Sequence, residues 1–171
     1  SVLKDDRFTK LTNAYSFPAA RCTFYAPFAA DARSQVTFEF VVDVDGNDGN
    51  IFFNAASWGG LQIDIVNGVL RGSVGAGALL SRTAYALTPD DMGRFIHVVL
   101  VIDPVRDVTE LFVDGELKDS EVFTPHEWAL EGMAAYLGTV GSFAHTLPVG
   151  GSTADFTGKM ALFRYYSKRA L

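Results

Sequence analysis

The feature that most constrains the fold is a pair of strand-like segments in the second half of the chain. Residues Phe95–Asp103 form an apolar run rich in β-branched side chains, and residues 110–117 alternate between polar and apolar side chains. The second segment contains Asp114-Gly115, a dipeptide that readily adopts the positive φ angles of a tight hairpin turn. We therefore predict two long antiparallel strands joined by the acidic loop 103–107, and a third strand after the Asp-Gly turn.

Most of the remaining chain shows the period of two that is typical of half-buried strands. Residues 36–43 place apolar side chains at every second position, and residues 49–55 predict Ile51 and Phe53 on one face with Phe52 on the other. Residues 61–66 and 69–74 flank Asn67-Gly68, which predicts a type I′ hairpin. About ten to twelve such strands predict an all-β fold, a two-sheet antiparallel sandwich, with one short helix at most, over residues 125–132.

Two motifs connect this pattern to a known family. The hairpin carries His97-Val98 and Val113-Asp114-Gly115, and the last strand begins with Phe156-Thr157-Gly158 and ends in Arg169-Ala170-Leu171. Over residues 34–171 the sequence resembles the laminin G-like or concanavalin A-like lectin jelly roll. The resemblance implies a single jelly-roll domain over residues 1–171, belonging to a larger surface or secreted protein, and favours an extracellular location.

The net charge argues against a nucleic-acid partner, and the hydropathy argues against a membrane-spanning helix. The formal net charge is −6, and binding to nucleic acid would require a clustered basic surface that the sequence lacks. No window approaches the ~20 apolar residues of a membrane-spanning helix. A small basic pocket for an acidic sugar is compatible with this composition, and nothing in the sequence indicates an oligomeric state.

The residue types that recognise sugars are present on the predicted strands and loops. Sugars pack an apolar face on aromatic rings and use their hydroxyl groups for hydrogen bonds. We predict Trp58, which precedes Gly59-Gly60, as an aromatic platform, and expect four polar or aromatic side chains on one sheet beside it: Asn54, Gln62, Arg71 and Tyr85. The alternative is that Trp58 covers the open end of the sandwich. The predicted function is that of a binding module for a glycan or protein ligand, for example an accessory domain of a sialidase.

Calcium is the one cofactor that the resemblance raises. Laminin G-type sites would place ligands near Asp64 and Asp155, and one pair of carboxylates supplies few of the six to eight oxygens that calcium requires. Counted from Asp43 as the first position of an EF-hand, the sequence has Asp48 where the sixth position requires Gly and Asn54 where the twelfth requires Glu, so a polar turn over residues 43–50 is the better interpretation. The pentraxin-like loops 55–60 and 139–151 contain no carboxylate. We therefore predict no cofactor, with calcium as the alternative.

No pattern in the sequence predicts catalysis. Glucanases of this superfamily place a Glu-x-Asp-x-x-Glu array on one strand, which aims two carboxylates into one groove. Here Glu39 and Asp43 lie four residues apart, Asp64 stands among apolar neighbours, and His97 lies within an apolar strand and is interpreted as structural. The prediction is a non-enzyme. The alternatives are a divergent glycosidase or lyase of the same fold, and a structural or assembly module.

Overall fold

The computed structural model describes residues 15–16, 22–25, 35–56, 59–75, 79–122, 134–138 and 154–167. These residues form twelve strands: β1 (Tyr15–Ser16), β2 (Cys22–Tyr25), β3 (Val36–Asp43), β4 (Gly49–Ala56), β5 (Gly59–Val66), β6 (Val69–Gly75), β7 (Leu79–Ala86), β8 (Phe95–Asp103), β9 (Val108–Val113), β10 (Glu116–Val122), β11 (Ala134–Leu137) and β12 (Lys159–Ser167). The single helical element among them is a 3-10 turn at Pro89–Asp91. The predicted helix at 125–132 lies outside the described residues.

The strands form two six-stranded antiparallel sheets, which confirms the predicted jelly-roll sandwich. Sheet A has the order β1-β12-β3-β8-β9-β10, and sheet B has the order β2-β11-β4-β5-β6-β7. Their inner faces pack together through a continuous apolar core. In the part of the chain that the structure describes, no helix is long and apolar enough to cross a membrane.

The two predicted hairpin turns have the backbone geometry that their sequences favour. Asn67 and Gly68 have φ angles of 51° and 74°, and Asp114 and Gly115 have φ angles of 51° and 80°. Both residues of a type I′ turn require positive φ, and Asn, Asp and Gly tolerate this region best. These dipeptides therefore fix the register of β5 with β6 and of β9 with β10.

The centre of the core is an aromatic cluster in which one ring from sheet B packs against three rings from sheet A. The ring centroid of Phe52 on β4 lies 5.0 Å from that of Phe38, 6.2 Å from that of Phe40 and 5.6 Å from that of Phe163. Tyr165 extends the cluster, 5.2 Å from Phe38. Phe38, Phe40 and Phe52 are fully buried, so this cluster joins the two sheets.

The prediction for the faces of β4 was wrong. The pairing of β4 with β5 shifts between Asn50 and Phe52, which marks a bulge at Ile51. The extra residue lets both Ile51 and Phe52 enter the core, while Phe53 pairs with Gln62 on the outer face. A strict period of two cannot anticipate a bulge, because one inserted residue exchanges the faces of all positions that follow.

The Phe-Thr-Gly motif before β12 is explained by close contact with loop 43–50. Phe156 is fully buried in the core. A Cβ atom on Gly158 would overlap the carbonyl oxygen of Asp43 and lie 2.5 Å from the Phe156 ring, and one on Gly49 would lie 2.7 Å from the Phe156 Cα. Only glycine fits these two positions without movement of the backbone.

We predict that Phe52→Ala destabilises the fold by about 3–5 kcal/mol, because it leaves a cavity where the two sheets meet. Val105→Ala is the matched control. Val105 is 75% exposed, and its truncation should change the free energy of unfolding by less than about 0.5 kcal/mol. Urea unfolding measures both values. Similar small losses for the two variants would show that the Phe52 ring does not join the sheets.

Candidate ligand-binding face

The outer face of sheet B carries a group of polar side chains that alternate with core residues. Leu61, Ile63 and Ile65 on β5 enter the core, so the intervening residues of that strand point outward. Cross-strand pairing carries this face onto β6 and β7. We define the polar face by its side chains on four neighbouring strands: Asn50, Gln62, Asp64, Arg71, Ser73 and Arg82.

A bidentate ion pair lies at the middle of the polar face. Asp64 and Arg71 are direct cross-strand partners. Nε of Arg71 donates to Oδ1 of Asp64 at 2.9 Å, and Nη2 donates to Oδ2 at 2.6 Å. The Asp64 side chain is fully buried and that of Arg71 is 11% exposed. A buried carboxylate requires such a partner, because its charge has lost the stabilisation of water.

Two further hydrogen bonds extend the polar face to either side. Nε of Arg82 donates to Oγ of Ser73 at 2.9 Å, and Nε2 of Gln62 donates to Oδ1 of Asn50 at 3.0 Å. Asn50, Gln62 and Ser73 are at most 1% exposed. The face is therefore built from largely buried, hydrogen-bonded pairs rather than from independent surface side chains.

Exposure rises across the polar face toward β7. The β5 residues Gln62 and Asp64 are fully buried, whereas Arg82 on β7 is half-buried. Ala84 and Ala86, which follow Arg82 on the same face, are exposed. The solvent-accessible part is thus a shelf over β6 and β7, made of Arg71, Arg82 and the two alanines.

The four residues predicted to share a sheet beside Trp58 all lie on sheet B, but on different faces. Gln62 and Arg71 belong to the polar face. Asn54 pairs with Leu61, and Tyr85 pairs with Leu70, so both point to the inner side. Asn54 is 1% exposed. Trp58 lies outside the described residues, and ligand binding by these five side chains stays a prediction.

The inner position of Tyr85 gives it structural contacts. Its hydroxyl donates to Oδ2 of Asp91 at 3.0 Å, and its ring lies 5.1 Å from Nζ of Lys118 on β10. Oδ2 of Asp119 accepts the backbone N–H of Ala84 at 2.7 Å. These contacts hold the β7 edge of sheet B against the β10 edge of sheet A.

The two aspartates considered for calcium lie on either side of Asn50. Asp64 pairs with Asn50 across β4 and β5, and Asp155 forms an isolated parallel bridge with it. Both oxygens of Asp64 already accept hydrogen bonds from Arg71. Among the described residues, no three His, Cys, Asp or Glu side chains are grouped closely enough to hold a metal ion.

Loop 43–50 uses its carboxylates to support turns. Oδ2 of Asp45 accepts from the Thr157 hydroxyl at 2.6 Å, and Oδ1 of Asp48 accepts the backbone N–H of Asn67 at 2.6 Å. The loop connects β3 to β4, as expected for a polar turn between strands. It thereby ties the Phe-Thr-Gly motif and the Asn67-Gly68 turn to one end of the sandwich.

A second polar cluster lies on the outer face of sheet A, away from the polar face. Glu39 accepts from the Tyr166 hydroxyl at 2.8 Å and lies 2.9 Å from Nε2 of His97, with Arg164 at 3.5 Å. Partial burial by itself would raise the pKa of Glu39, but these hydrogen bonds and the neighbouring positive charges lower the pKa below its usual value. Hydrogen bonds to the charged form and nearby positive charges both favour the ionised carboxylate.

Sequence reasoning missed Arg82 and Ser73. The signal was available, because Arg71 and Ser73 are two residues apart on one strand and so share a face. Adding Arg82 required the pairing of β6 with β7, in which Ser73 opposes Arg82. The glycine-rich sequence after Ser73 gives no clear turn signal, so the register of β6 with β7 cannot be predicted from it.

We predict that Arg71→Gln destabilises the protein by about 3–5 kcal/mol, because it leaves the buried charge of Asp64 without its partner. Lys159→Gln removes the same charge from the exposed Lys159–Asp43 pair, in which Lys159 is 53% exposed, and should cost about 1 kcal/mol or less. Thermal or urea unfolding compares the two variants. A loss for Arg71→Gln no larger than that for Lys159→Gln would contradict the buried pair.

Comparison with solved structures identifies proteins of the same fold. Domains LG4-5 of the mouse laminin α1 chain superimpose with a TM-score of 0.72 at 15% identity, covering 91% of this chain and 42% of that chain. The binding domain of botulinum neurotoxin serotype D gives 0.62 at 14% identity, covering 92% and 39%. The NanB sialidase from Streptococcus pneumoniae, as its K499G mutant, gives 0.66 at 15% identity, covering 90% and 25%. The chain thus spans less than half the length of each.

No curated protein shows a significant sequence match to the chain. A family model, in contrast, matches residues 12–171, nearly the whole sequence, and is described as the concanavalin A-like lectin/glucanases superfamily. This match covers both hairpins, the polar face and the Phe-Thr-Gly motif. The chain belongs to the concanavalin A-like lectin/glucanases superfamily.

Proposed function

We propose that this protein is a non-catalytic binding module that recognises a glycan or protein ligand at the polar face of sheet B. The observation that carries the proposal is the shelf over β6 and β7, where two arginine side chains border the exposed Ala84 and Ala86. Ligand sites combine apolar side chains with a small number of polar groups in defined positions. The similar fold of a neurotoxin binding domain and of laminin G domains supports a role in binding.

The arrangement of carboxylates supports binding rather than hydrolysis. Glycosidases place two carboxyl groups about 5–10 Å apart across the scissile bond. Among the described residues of the polar face the only carboxylate is Asp64, and both of its oxygens accept hydrogen bonds from Arg71. Glu39 lies on the outer face of sheet A, so the two side chains belong to opposite sides of the sandwich.

One concrete version of the proposal is an accessory domain of a larger surface or secreted enzyme such as a sialidase. The similarity to the NanB sialidase supports this version, because the chain matches 25% of that enzyme's length. An accessory domain of this kind would hold a separate catalytic domain near its substrate. An extracellular location is part of this proposal.

A glycan-array screen of the chain, followed by titration of the best ligand, tests binding directly. We expect measurable affinity for at least one glycan, and β-glucan, chitin and sialoside substrates should remain unhydrolysed. Turnover that disappears in Asp64→Asn, in a variant shown to be folded, would assign catalysis to this face and overturn the non-catalytic proposal. Binding of a protein ligand in place of glycans would leave the binding role intact and change the ligand class.

We propose that Asp64 serves Arg71 and not a calcium ion. The guanidinium already neutralises the carboxylate, so calcium would have to displace a bidentate pair. Millimolar calcium should therefore raise the melting temperature by less than about 2 °C, which corresponds to under about 1 kcal/mol for a protein of this size. A larger increase that EDTA reverses and that Asp155→Asn abolishes would show that the laminin G-type site is real.

A further inference from the structure

Four dipeptides among the described residues place an aspartate or asparagine directly before a glycine. In such a dipeptide the backbone nitrogen of the glycine can attack the side-chain carbonyl carbon of the preceding residue and close a five-membered ring, because glycine has no Cβ atom to hinder the approach. The four dipeptides are Asp45-Gly46, Asp48-Gly49, Asn67-Gly68 and Asp114-Gly115. They differ in how the surrounding structure holds the side chain.

The aspartates are poor targets for this attack. At neutral pH their side chains are ionised carboxylates, whose negative charge repels a nucleophile, and hydrogen bonds hold them in place. Oδ2 of Asp45 accepts from the Thr157 hydroxyl at 2.6 Å. Oδ1 of Asp114 accepts from the backbone N–H of His97 at 2.9 Å, and its Oδ2 lies 2.7 Å from Nη2 of Arg94. We therefore expect these side chains to resist ring closure.

Asn67 differs from the aspartates in its side chain and in its surroundings. Its side chain is a neutral amide, the residue is exposed, and among the described residues this amide forms no hydrogen bond. The contact that Asn67 does make is through its backbone N–H, which donates to Oδ1 of Asp48 at 2.6 Å. A Cβ atom on Gly68 would meet no other atom within 4 Å. The amide carbon is therefore open to attack, and water can reach the turn.

The other asparagines of the described residues lack one or more of these conditions. Asn50 and Asn54 are at most 1% exposed, and each precedes a residue that carries a Cβ atom. Nδ2 of Asn47 donates to Oδ2 of Asp45 at 3.0 Å, and the residue that follows Asn47 also carries a Cβ atom. Exposure, an unbound amide and a following glycine coincide at Asn67.

We propose that Asn67 is a modification site, at which water deamidates the Asn-Gly turn to aspartate and isoaspartate. Hydroxide removes the proton of the Gly68 backbone nitrogen, which then attacks Cγ of Asn67. The N–Cγ bond forms, the Cγ–Nδ2 bond breaks, and the leaving nitrogen takes a proton from water and departs as ammonia. Water opens the resulting succinimide. Attack at Cγ gives aspartate, and attack at the backbone carbonyl carbon gives isoaspartate, whose main chain is one atom longer.

Both products disturb the turn. Each adds one negative charge to the formal net charge of −6, and the new carboxylate lies on the residue whose N–H is bound by Asp48, so the two like charges repel each other. Isoaspartate also lengthens the two-residue turn that pairs Val66 with Val69. A type I′ turn requires two residues with positive φ angles, and the longer main chain does not keep this geometry.

The turn in question fixes part of the polar face. Asp64 and Arg71 oppose each other on the two strands that it joins, and the Gly68 carbonyl accepts the backbone N–H of Leu87 at 2.9 Å, at the end of β7. A loosened turn therefore weakens the pairing of β5 with β6 and the contact with β7. Deamidation of Asn67 is thus an irreversible change that destabilises this end of sheet B as the protein ages. The inference does not depend on what the polar face binds.

The experiment incubates the folded chain for several weeks at mildly alkaline pH and body temperature. Peptide mass spectrometry with electron-transfer fragmentation locates each deamidated residue and distinguishes isoaspartate from aspartate, and ion exchange isolates the more acidic protein. The matched control is Asn67→Gly, because Gly-Gly also suits a type I′ turn and has no amide to lose. The wild type unfolded in guanidinium chloride gives the rate at which Asn67 reacts without the turn.

In the folded wild type we expect aspartate and isoaspartate at Asn67, while Asn50 and Asn54 keep their amides. A more acidic form should accumulate on ion exchange, and Asn67→Gly should not form it. The isolated isoaspartate form should melt about 3 °C or more below the untreated protein. Asn67→Asp adds the charge without the extra main-chain atom, so its melting temperature should lie between those two values.

Three results would overturn the inference. Conversion of Asn67 in the unfolded chain but not in the folded one would show that the intact turn protects the amide. Conversion mainly at another residue, with the same acidic form accumulating in Asn67→Gly, would place the modification elsewhere. An isoaspartate form that melts at the temperature of the untreated protein would show that the turn does not support sheet B. None of these results bears on ligand binding, so the proposed function is tested separately.

Discussion

The insertion of Phe52 among the aromatic rings of sheet A is the interaction on which the rest of the structure depends. Its ring meets Phe38, Phe40 and Phe163 at centroid distances between 5.0 and 6.2 Å. The bulge at Ile51 makes this possible, because it turns Phe52 inward and Asn50 outward. The same local irregularity therefore closes the core and sends a polar residue to the opposite face, where it joins Gln62.

The outer face of sheet B depends on that core for its order. Asp64 and Arg71 pair across β5 and β6, whose alternate residues Ile63, Ile65 and Leu70 are fully buried. Strands anchored on one side hold their other side chains in a fixed register. The two charges thus meet in a bidentate geometry in a largely buried position, with Asp64 fully buried and Arg71 11% exposed. The polar face can present Arg71 and Arg82 side by side because the buried apolar side chains of the same strands fix the positions of β6 and β7.

The sequence was sufficient for the fold and for only part of the candidate face. Turn dipeptides such as Asn67-Gly68 and Asp114-Gly115 have a strong local preference, so the hairpins follow from residues close in the chain. The face of Asn54 depends on a bulge, and the proximity of Arg82 to Arg71 depends on cross-strand register. Neither is encoded in a short window. The Asp64–Arg71 pair, in contrast, follows from the predicted Asn67-Gly68 turn, which places the two residues opposite each other and so favours an ion pair over a calcium site. The two-residue β1 was missed because it is too short to show alternation.

The central claim is that ligand binds on the shelf over β6 and β7, on the outer side of sheet B. Backbone amide NMR of the labelled chain, with the best-bound glycan of the array added stepwise, tests it most directly. The account predicts that shifts concentrate at residues 69–73 and 82–86, while amides around Glu39 and His97 on sheet A stay in place. Shifts confined to sheet A, or to the turns at the end of the sandwich near Asp45 and Thr157, would place the ligand elsewhere and contradict the account.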